Sequence, residues 1–488
     1  MSANGVVTHV TDWLLRECAA VAPAWLVGQR WFGNKTRAIE RVDTADIVWL
    51  AIDPPCALVV FDVRYEAGTD PADRYAALIG VAEYPEGAST IGRLATQPPL
   101  YVVERATDAT SVRALLRGLC GDGSVRGTHG EIVYADATGP LRHDLAREPG
   151  VVALGAEQSN TSVRLGSTHV FKLLRKLDDG ESPELEVGRF LTHANFALTS
   201  LLEGSLTYRG ADGRAATVGV VEAWLDNQGD GWRYVTNQLA VAAGDEAALA
   251  RLAHELSILG ATTAQFHAAM ASGAAAPGFA PEPMTPADIE RWGTAVREQG
   301  KRTFALVTNH HEQWSGEAGD AARELLRLTP QFERHVQAPN RWRHDGFDRI
   351  RVHGDYHLGQ TLKTASGFAI IDFEGEPGKP LASRREKQCA LRDVAGMMRS
   401  FDYAVQSSHA VMSPGRSPSS FAAAFLDGYR THLGGGPARF VPASPDAVAD
   451  WIAFFELEKA LYEVEYEANS RPTWVHIPLR GAIRILRG

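Results

Sequence analysis

The sequence predicts an α+β chain, strand-rich towards its amino terminus and mostly helical towards its carboxy terminus. Three observations carry this. Short apolar runs such as Ala57 to Tyr65 and Ala216 to Val221 alternate with Pro, Gly and Asp turns in the first part. Long stretches with helical character, Glu246 to about Ser272 and Trp451 to Ser470, fill the second. Between those two helical stretches lies a polar loop followed by a short hairpin, His353 to Glu374. At 488 residues the chain is too long for one typical core and should divide into two or three domains or subdomains.

In chain order, Asp12 to Val27 has an amphipathic pattern built on Trp13, Leu14, Leu15 and Trp25, which predicts a helix broken at Pro23. Gln29 to Lys35 reads as a loop, with Trp31 and Phe32 in the core rather than at a ligand. Strands follow at Asp46 to Ile52, Ala57 to Tyr65 and Tyr75 to Val81, separated by turns at Pro54-Pro55 and Gly68 to Pro71. This first part, residues 1–97, is a β-rich module without catalytic candidates. Residues 98–224 mix a helix near Ser111 to Leu119 with strands at Val151 to Ala156, Val163 to Leu165, His169 to Leu174 and Ala216 to Val221. Turn-forming Asp226 to Gly231 marks the boundary to a mainly helical third part, residues 225–488. There Thr285-Pro286-Ala287-Asp288 opens a helix with a capping threonine, proline at the first position and an acid three residues in. A further helix spans Asp320 to Leu326, His267 reads as a core histidine, and the Ser/Pro/Gly-rich segment Ser407 to Ser420 as a mobile loop.

Composition narrows the function. With 45% apolar and 22% charged residues the chain is an ordinary soluble globular protein, and its net charge of −10 disfavours nucleic acid or an anionic membrane as the main partner. Cys18, Cys56, Cys120 and Cys389 are scattered without metal or disulfide spacing. No signal peptide and no membrane-spanning run is evident, so a soluble cytoplasmic protein, a monomer by default, is expected.

The chemistry concentrates in His353-Gly354-Asp355-Tyr356-His357-Leu358-Gly359-Gln360 and Ala369-Ile370-Ile371-Asp372-Phe373-Glu374. Alone, His-Gly-Asp is a common turn and Ile-Ile-Asp a common strand end. Together they enclose a hairpin, Thr361 to Lys363 and Phe368 to Ile371, that brings both carboxylates to one edge. That is the polar equipment of a Mg·ATP phosphotransfer site: Asp355 as catalytic base, Gln360 and Asp372 as oxygen ligands for magnesium. Upstream, Lys172 sits in a strand between Phe171 and Leu173, where an ammonium needs partners such as an ATP phosphate and a helix glutamate. The helix after Pro183 offers Glu184 and Glu186. The polar loop Glu157 to Ser162, which includes Ser159, can cradle phosphate oxygens through backbone N–H groups and small hydroxyls.

These motifs resemble the aminoglycoside-phosphotransferase branch of the bilobal eukaryotic-kinase-like fold. The run Gly354 to Gln360 with Asp372-Phe373-Glu374-Gly375-Glu376-Pro377 is similar to bacterial maltokinases in particular. Gln29-Arg30-Trp31-Phe32, Leu391 to Met397, Arg399 to Tyr403, Lys459 to Glu463, Tyr466 to Ala468 and Arg471-Pro472 extend the likeness along nearly the whole chain. The resemblance implies an N-terminal cap subdomain, a strand lobe with the ATP-binding strands and a helical lobe. It selects Glu186 as the partner of Lys172, and it puts adenine contacts at the backbone of Glu222 and Trp224. It also implies ATP and Mg2+ as the cofactors, with Gln360 as a metal ligand where asparagine is commoner.

The acceptor is expected between Asp355 and the last long helix, where Lys459, Glu463 and Tyr466 fall at i, i+4 and i+7 on one face. Spacing alone fits a solvated face equally well; resemblance turns it into a sugar site, to which His353 and Glu467 are added. Glu465 and Asn469 replace a small or apolar residue and an arginine of many maltokinases; losing a cation and gaining a carboxylate favours an amino sugar, while Glu458, Glu465 and Asn469, about 100° from the proposed sugar face, fit a solvent flank equally well. The group of actinobacterial glucosamine kinases is the nearest resemblance, implying 6-phosphorylation of glucosamine. Maltose 1-phosphorylation comes second and aminoglycoside phosphorylation third; a non-catalytic sugar-binding pseudokinase is disfavoured by the presence of Asp355, Asp372 and Lys172.

Overall fold

The computed structural model describes residues 2–35, 37–66, 72–121, 123–155, 159–242, 244–273, 276–408, 418–433 and 439–488. The chain forms two compact units. The first comprises residues 1–193, 200–225 and 379–381, and the second residues 194–199, 226–378 and 382–488.

In the first unit, five strands form an antiparallel sheet in the order β1-β2-β3-β5-β4: β1 Ile39–Ile52, β2 Pro55–Tyr65, β3 Asp73–Ala82, β4 Thr90–Leu94 and β5 Leu100–Glu104. The unbroken apolar run in β2 has a two-sided burial to explain it. Ala57, Val59, Phe61 and Val63 point into a cluster with Trp13, Leu14, Trp25, Trp31 and Phe32. Cys56, Leu58 and Val60 point the other way, into a cluster with Ile132, Val163, Phe171 and Val218. Trp31 and Phe32 are thus core residues, packed on Tyr75 with ring centroids 6.0 and 5.0 Å away.

The N-terminal helix breaks elsewhere than its sequence suggests. Two helices, Ala3–Arg16 and Cys18–Gly28, meet at Glu17, and Pro23 lies inside the second. Proline forfeits one backbone hydrogen bond, and burial of Ala22, Trp25 and Leu26 around it offsets the loss. The turn expected at Gly68 to Pro71 and most of the Ser407 to Ser420 loop lie outside the described residues.

The second sheet of this unit has seven strands in the order β6-β7-β11-β12-β10-β9-β8: β6 Ser124–Arg126, β7 Glu131–Ala135, β8 Val151–Leu154, β9 Asn160–Leu165, β10 His169–Leu174, β11 Leu202–Arg209 and β12 Ala215–Ala223. Lys172 sits centrally in β10, opposite Ser162 of β9 and Val220 of β12.

The second unit is mainly helical. Its long helices are Glu246–Met270, Pro286–His310, Leu391–Ser407 and Pro445–Ser470. The capping box at Thr285 forms: its hydroxyl accepts from the Asp288 N–H, and the Asp288 carboxylate takes the Thr285 N–H at 2.9 Å. A hairpin of Thr361–Thr364 and Gly367–Ile370 follows the polar loop as the alternating pattern requires, paired Thr361 to Ile370 and Thr364 to Gly367.

Candidate functional site

In the first unit the Lys172 ammonium is buried and reaches a carboxylate, Glu184 Oε1, at 2.5 Å. The resemblance selects Glu186, two positions further on, for the same role. The helix Pro183–His193 turns about 100° per residue, so two glutamates two positions apart face different ways. Glu184 is fully buried, and Glu186 is half-buried on another side of the helix. At the far end of the sheet, Glu222 is in register with Val170 and Leu202, and Trp224 donates its backbone N–H to Thr168 O at 2.7 Å. That amide hydrogen is therefore committed within the protein. The Arg164 guanidinium lies 5.0 Å from the Trp224 ring centroid. Ser159 is exposed and directly precedes β9, while Glu157 and Gln158 lie outside the described residues.

In the second unit the loop from His353 to Gln360 is held by groups around it. Gly354 has a φ of +84°, a left-handed conformation that suits glycine. The buried Asp393 carboxylate accepts the N–H groups of His353 at 2.8 Å and Gly354 at 3.0 Å. Tyr356 is buried and its hydroxyl pairs with Thr263 at 2.9 Å. A Cβ at Gly396 would come within 2.7 Å of Tyr356 O, so a glycine there lets the helix Leu391–Ser407 lie against the loop backbone. The Leu358 N–H donates to Ser400 Oγ of the same helix at 3.1 Å.

Asp355, presented by this loop, is half-buried, and Lys459 of the helix Pro445–Ser470 approaches its Oδ1 to 3.1 Å. Burial acts to lift the Asp355 carboxyl, but Lys459, with the neighbouring histidines, outweighs it and holds the group below the ordinary carboxylate range. Burial also acts to strip the Lys459 ammonium, and Asp355, Glu376 and Glu463 more than restore it, so its pKa lies above the usual lysine value. The pair is ionised across the neutral range.

The hairpin brings the backbone of Gln360 against that of Ile371, the residue before Asp372. Gln360 O accepts the Ile371 N–H at 3.0 Å, and Asp372 follows with a φ of +68°. A positive φ at a non-glycine residue marks a backbone held by its surroundings at a cost. A carboxylate and a side-chain amide oxygen are hard donors, of the kind a magnesium ion takes alongside waters and phosphate oxygens. Among the described residues no cluster of three or more His, Cys, Asp or Glu side chains could hold a metal on its own.

The remaining expected contacts divide by burial. His353 is buried, and its Nε2 lies 3.0 Å from Ile371 O. Glu467 is 1% exposed and takes Arg471 through both oxygens, at 2.6 and 2.9 Å, plus the Tyr403 hydroxyl at 3.3 Å. Glu463 accepts from Arg399 Nη2 at 2.8 Å and Nε at 3.0 Å, both on Oε2. Tyr466 is 46% exposed and stacks on Tyr462, with centroids 6.4 Å apart. The Lys459 ammonium is 5.3 Å from the Tyr462 centroid. Glu465 turns aside to Thr303, whose hydroxyl reaches it at 3.0 Å. Sequence reasoning did not assign roles to Asp393 or Tyr462; Asp393 could have been suspected only as an acid in an otherwise apolar helical stretch.

Residues 25–108 match the family model of the maltokinase N-terminal cap domain. The glucosamine kinase of Mycolicibacterium smegmatis is 28% identical over 331 residues, 66% of this chain and 76% of that protein. The glucosamine kinase of Streptacidiphilus jiangxiensis is 29% identical over 348 residues, 68% of this chain and 72% of that protein. A solved glucosamine kinase, in complex with glucosamine, ADP and inorganic phosphate, superposes with a TM-score of 0.62 at 23% identity, covering 97% of this chain and 98% of that one. No described helix is long and apolar enough to cross a membrane. The chain therefore has the kinase-like α+β fold of glucosamine kinases and carries the maltokinase type of N-terminal cap.

Proposed function

We propose that this chain is an ATP-dependent sugar kinase that phosphorylates glucosamine at its 6-hydroxyl. The observation that carries the reading is Asp355, a half-buried and ionised carboxylate on a clamped loop, facing Lys459 on the helix that bears Glu463 and Tyr466. Its likeness to two glucosamine kinases supplies the substrate class.

In this reading Asp355 orients the acceptor hydroxyl and takes its proton as the oxygen attacks the γ-phosphorus. Positioning and charge do most of the work in such a transfer, which is why a carboxylate fixed by Lys459 and by the clamped backbone suits the role. In the first unit Lys172 holds ATP phosphate oxygens, steadied by Glu184. Gln360 and Asp372 would hold Mg2+, which supplies charge neutralisation at the transferring phosphoryl group. Tyr466 and its stacked neighbour Tyr462 offer a flat apolar surface to the carbon face of the sugar.

A second reading, formation of maltose 1-phosphate, is favoured by the maltokinase cap at residues 25–108. ADP release measured against glucosamine, maltose, glucose and an aminoglycoside, with phosphorus NMR of the product, separates the two. Fastest turnover of glucosamine with phosphate on the 6-oxygen is expected. Faster turnover of maltose with phosphate on the anomeric oxygen would establish the second reading instead.

A further inference from the structure

We infer that Arg484 is a positioning residue of the acceptor site, acting through Asp402 and Arg399 on the Glu463 carboxylate. The inference rests on the reading of Glu463 as the partner of the sugar ammonium. It starts from a glycine: a Cβ at Gly481 would collide with the Arg399 guanidinium, so the helix His476–Arg487 can lie directly on that group. Arg399 donates from Nε and Nη2 to Glu463 Oε2, and from Nη1 to Asp402 Oδ2 at 2.5 Å. The same Asp402 oxygen takes Arg484 Nη2 at 2.9 Å, and that nitrogen also lies 2.9 Å from Glu456 Oε1. Arg399, Asp402 and Glu456 are 0%, 6% and 4% exposed, so water does little to relieve their charges.

The charges of this cluster do not balance. Three carboxylates, Asp402, Glu456 and Glu463, meet two guanidinia, and Lys459, the next cation along the helix, is held by Asp355. Glu467 is taken up by Arg471, and the Tyr403 hydroxyl is kept protonated by burial and by Glu463 itself. Burial lifts Glu456 above the ordinary carboxylate range against the pull of Arg484, and lifts Glu463 against Arg399 and Lys459, with Asp402 adding to the rise. Without Arg484, Asp402 and Glu456 compete with Glu463 for Arg399. A carboxylate short of its cation in a dry site takes a proton instead, and a protonated Glu463 cannot hold an ammonium. Removing the charge of Glu456 acts the other way, because two carboxylates then meet two guanidinia.

The test reads the KM for glucosamine in two variants that should move it in opposite directions. Arg484→Met is expected to raise it roughly threefold or more at neutral pH, with kcat and the KM for ATP within about twofold of native. Arg484→Lys, which keeps the charge, should recover much of the loss. Glu456→Gln should lower the KM for glucosamine, and it carries the test should Arg484→Met not fold. As pH falls through a raised carboxyl pKa the anion is lost, so this KM climbs towards acid; the climb should begin at higher pH in Arg484→Met and at lower pH in Glu456→Gln. A KM that moves the same way in both variants would mark a general loss of packing and overturn the inference. If Glu463→Gln raises the KM for glucosamine while neither of the other two changes moves it, the inference fails and the reading of Glu463 stands. If Glu463→Gln leaves that KM in place, the reading goes and the inference with it.

Discussion

The Lys459 ammonium lies 3.1 Å from Asp355 Oδ1, so the proposed base of the reaction is tied to the helix Pro445–Ser470, on which the proposed sugar contacts also lie. Burial alone would raise the Asp355 carboxyl, and the charge of Lys459 is the strongest influence that lowers it. A group with a depressed pKa stays ionised until the pH falls through that low value, so activity in the native enzyme should persist into mild acid. In Lys459→Met burial loses its main opponent and the carboxyl rises. The acid limb of the kcat/KM profile should then move to higher pH. An acid limb that stays in place in an active Lys459→Met enzyme would mean that another group sets it.

Asp355→Asn should keep ATP binding and lose turnover, by about 10²–10⁴-fold, the usual contribution of a positioned base. Steady-state kinetics with saturating Mg·ATP checks this, and a kcat within a few-fold of the native value would remove Asp355 from that role.

Asp372→Ala should raise the magnesium concentration needed for half-maximal rate and weaken ATP use in parallel, because a carboxylate ligand to the metal is lost. Gln360→Ala should act in the same direction more weakly, since an amide oxygen carries no net charge. A magnesium titration of the two variants is sufficient, and curves that overlay the native one would show that the metal is held elsewhere.

The fold was largely legible in the sequence, and the site only in part, for reasons that particular residues make plain. The hairpin of Thr361–Thr364 and Gly367–Ile370 announces itself through a short apolar run on each side of Ala365-Ser366-Gly367, a purely local signal. The contact of Lys172 with Glu184 is not a local signal: it depends on how the helix Pro183–His193 is rotated, and its first turn carries two acids. Pro23 misleads because its cost is real but small beside the burial of the residues around it. Asp393 clamps a loop 39 and 40 residues away, a tertiary contact that no periodicity encodes.

Substrate charge is where two neighbouring carboxylates part company. Glu467 has both oxygens engaged, by Arg471 and the Tyr403 hydroxyl, and is almost wholly buried. Glu463 receives both of its Arg399 bonds on Oε2, and in the proposed function its Oε1 takes the sugar ammonium. A carboxylate placed for an ammonium is left poorly paired by a hydroxyl at the same position, so such a site discriminates strongly against the neutral analogue. Native enzyme should therefore prefer glucosamine over glucose, and N-acetylglucosamine, which lacks the charge and adds bulk, should not be turned over. Glu463→Gln should raise the KM for glucosamine more than that for ATP and shrink the preference over glucose. It should also lower thermal stability by about 2 kcal/mol, because a buried guanidinium loses a charged acceptor while keeping Asp402 at 2.5 Å. Glu467→Gln should leave the glucosamine-to-glucose ratio where it was and show itself only as a lower melting temperature. Should Glu463→Gln lose stability with its sugar preference intact, Glu463 serves Arg399 alone, and the ammonium is recognised by another group.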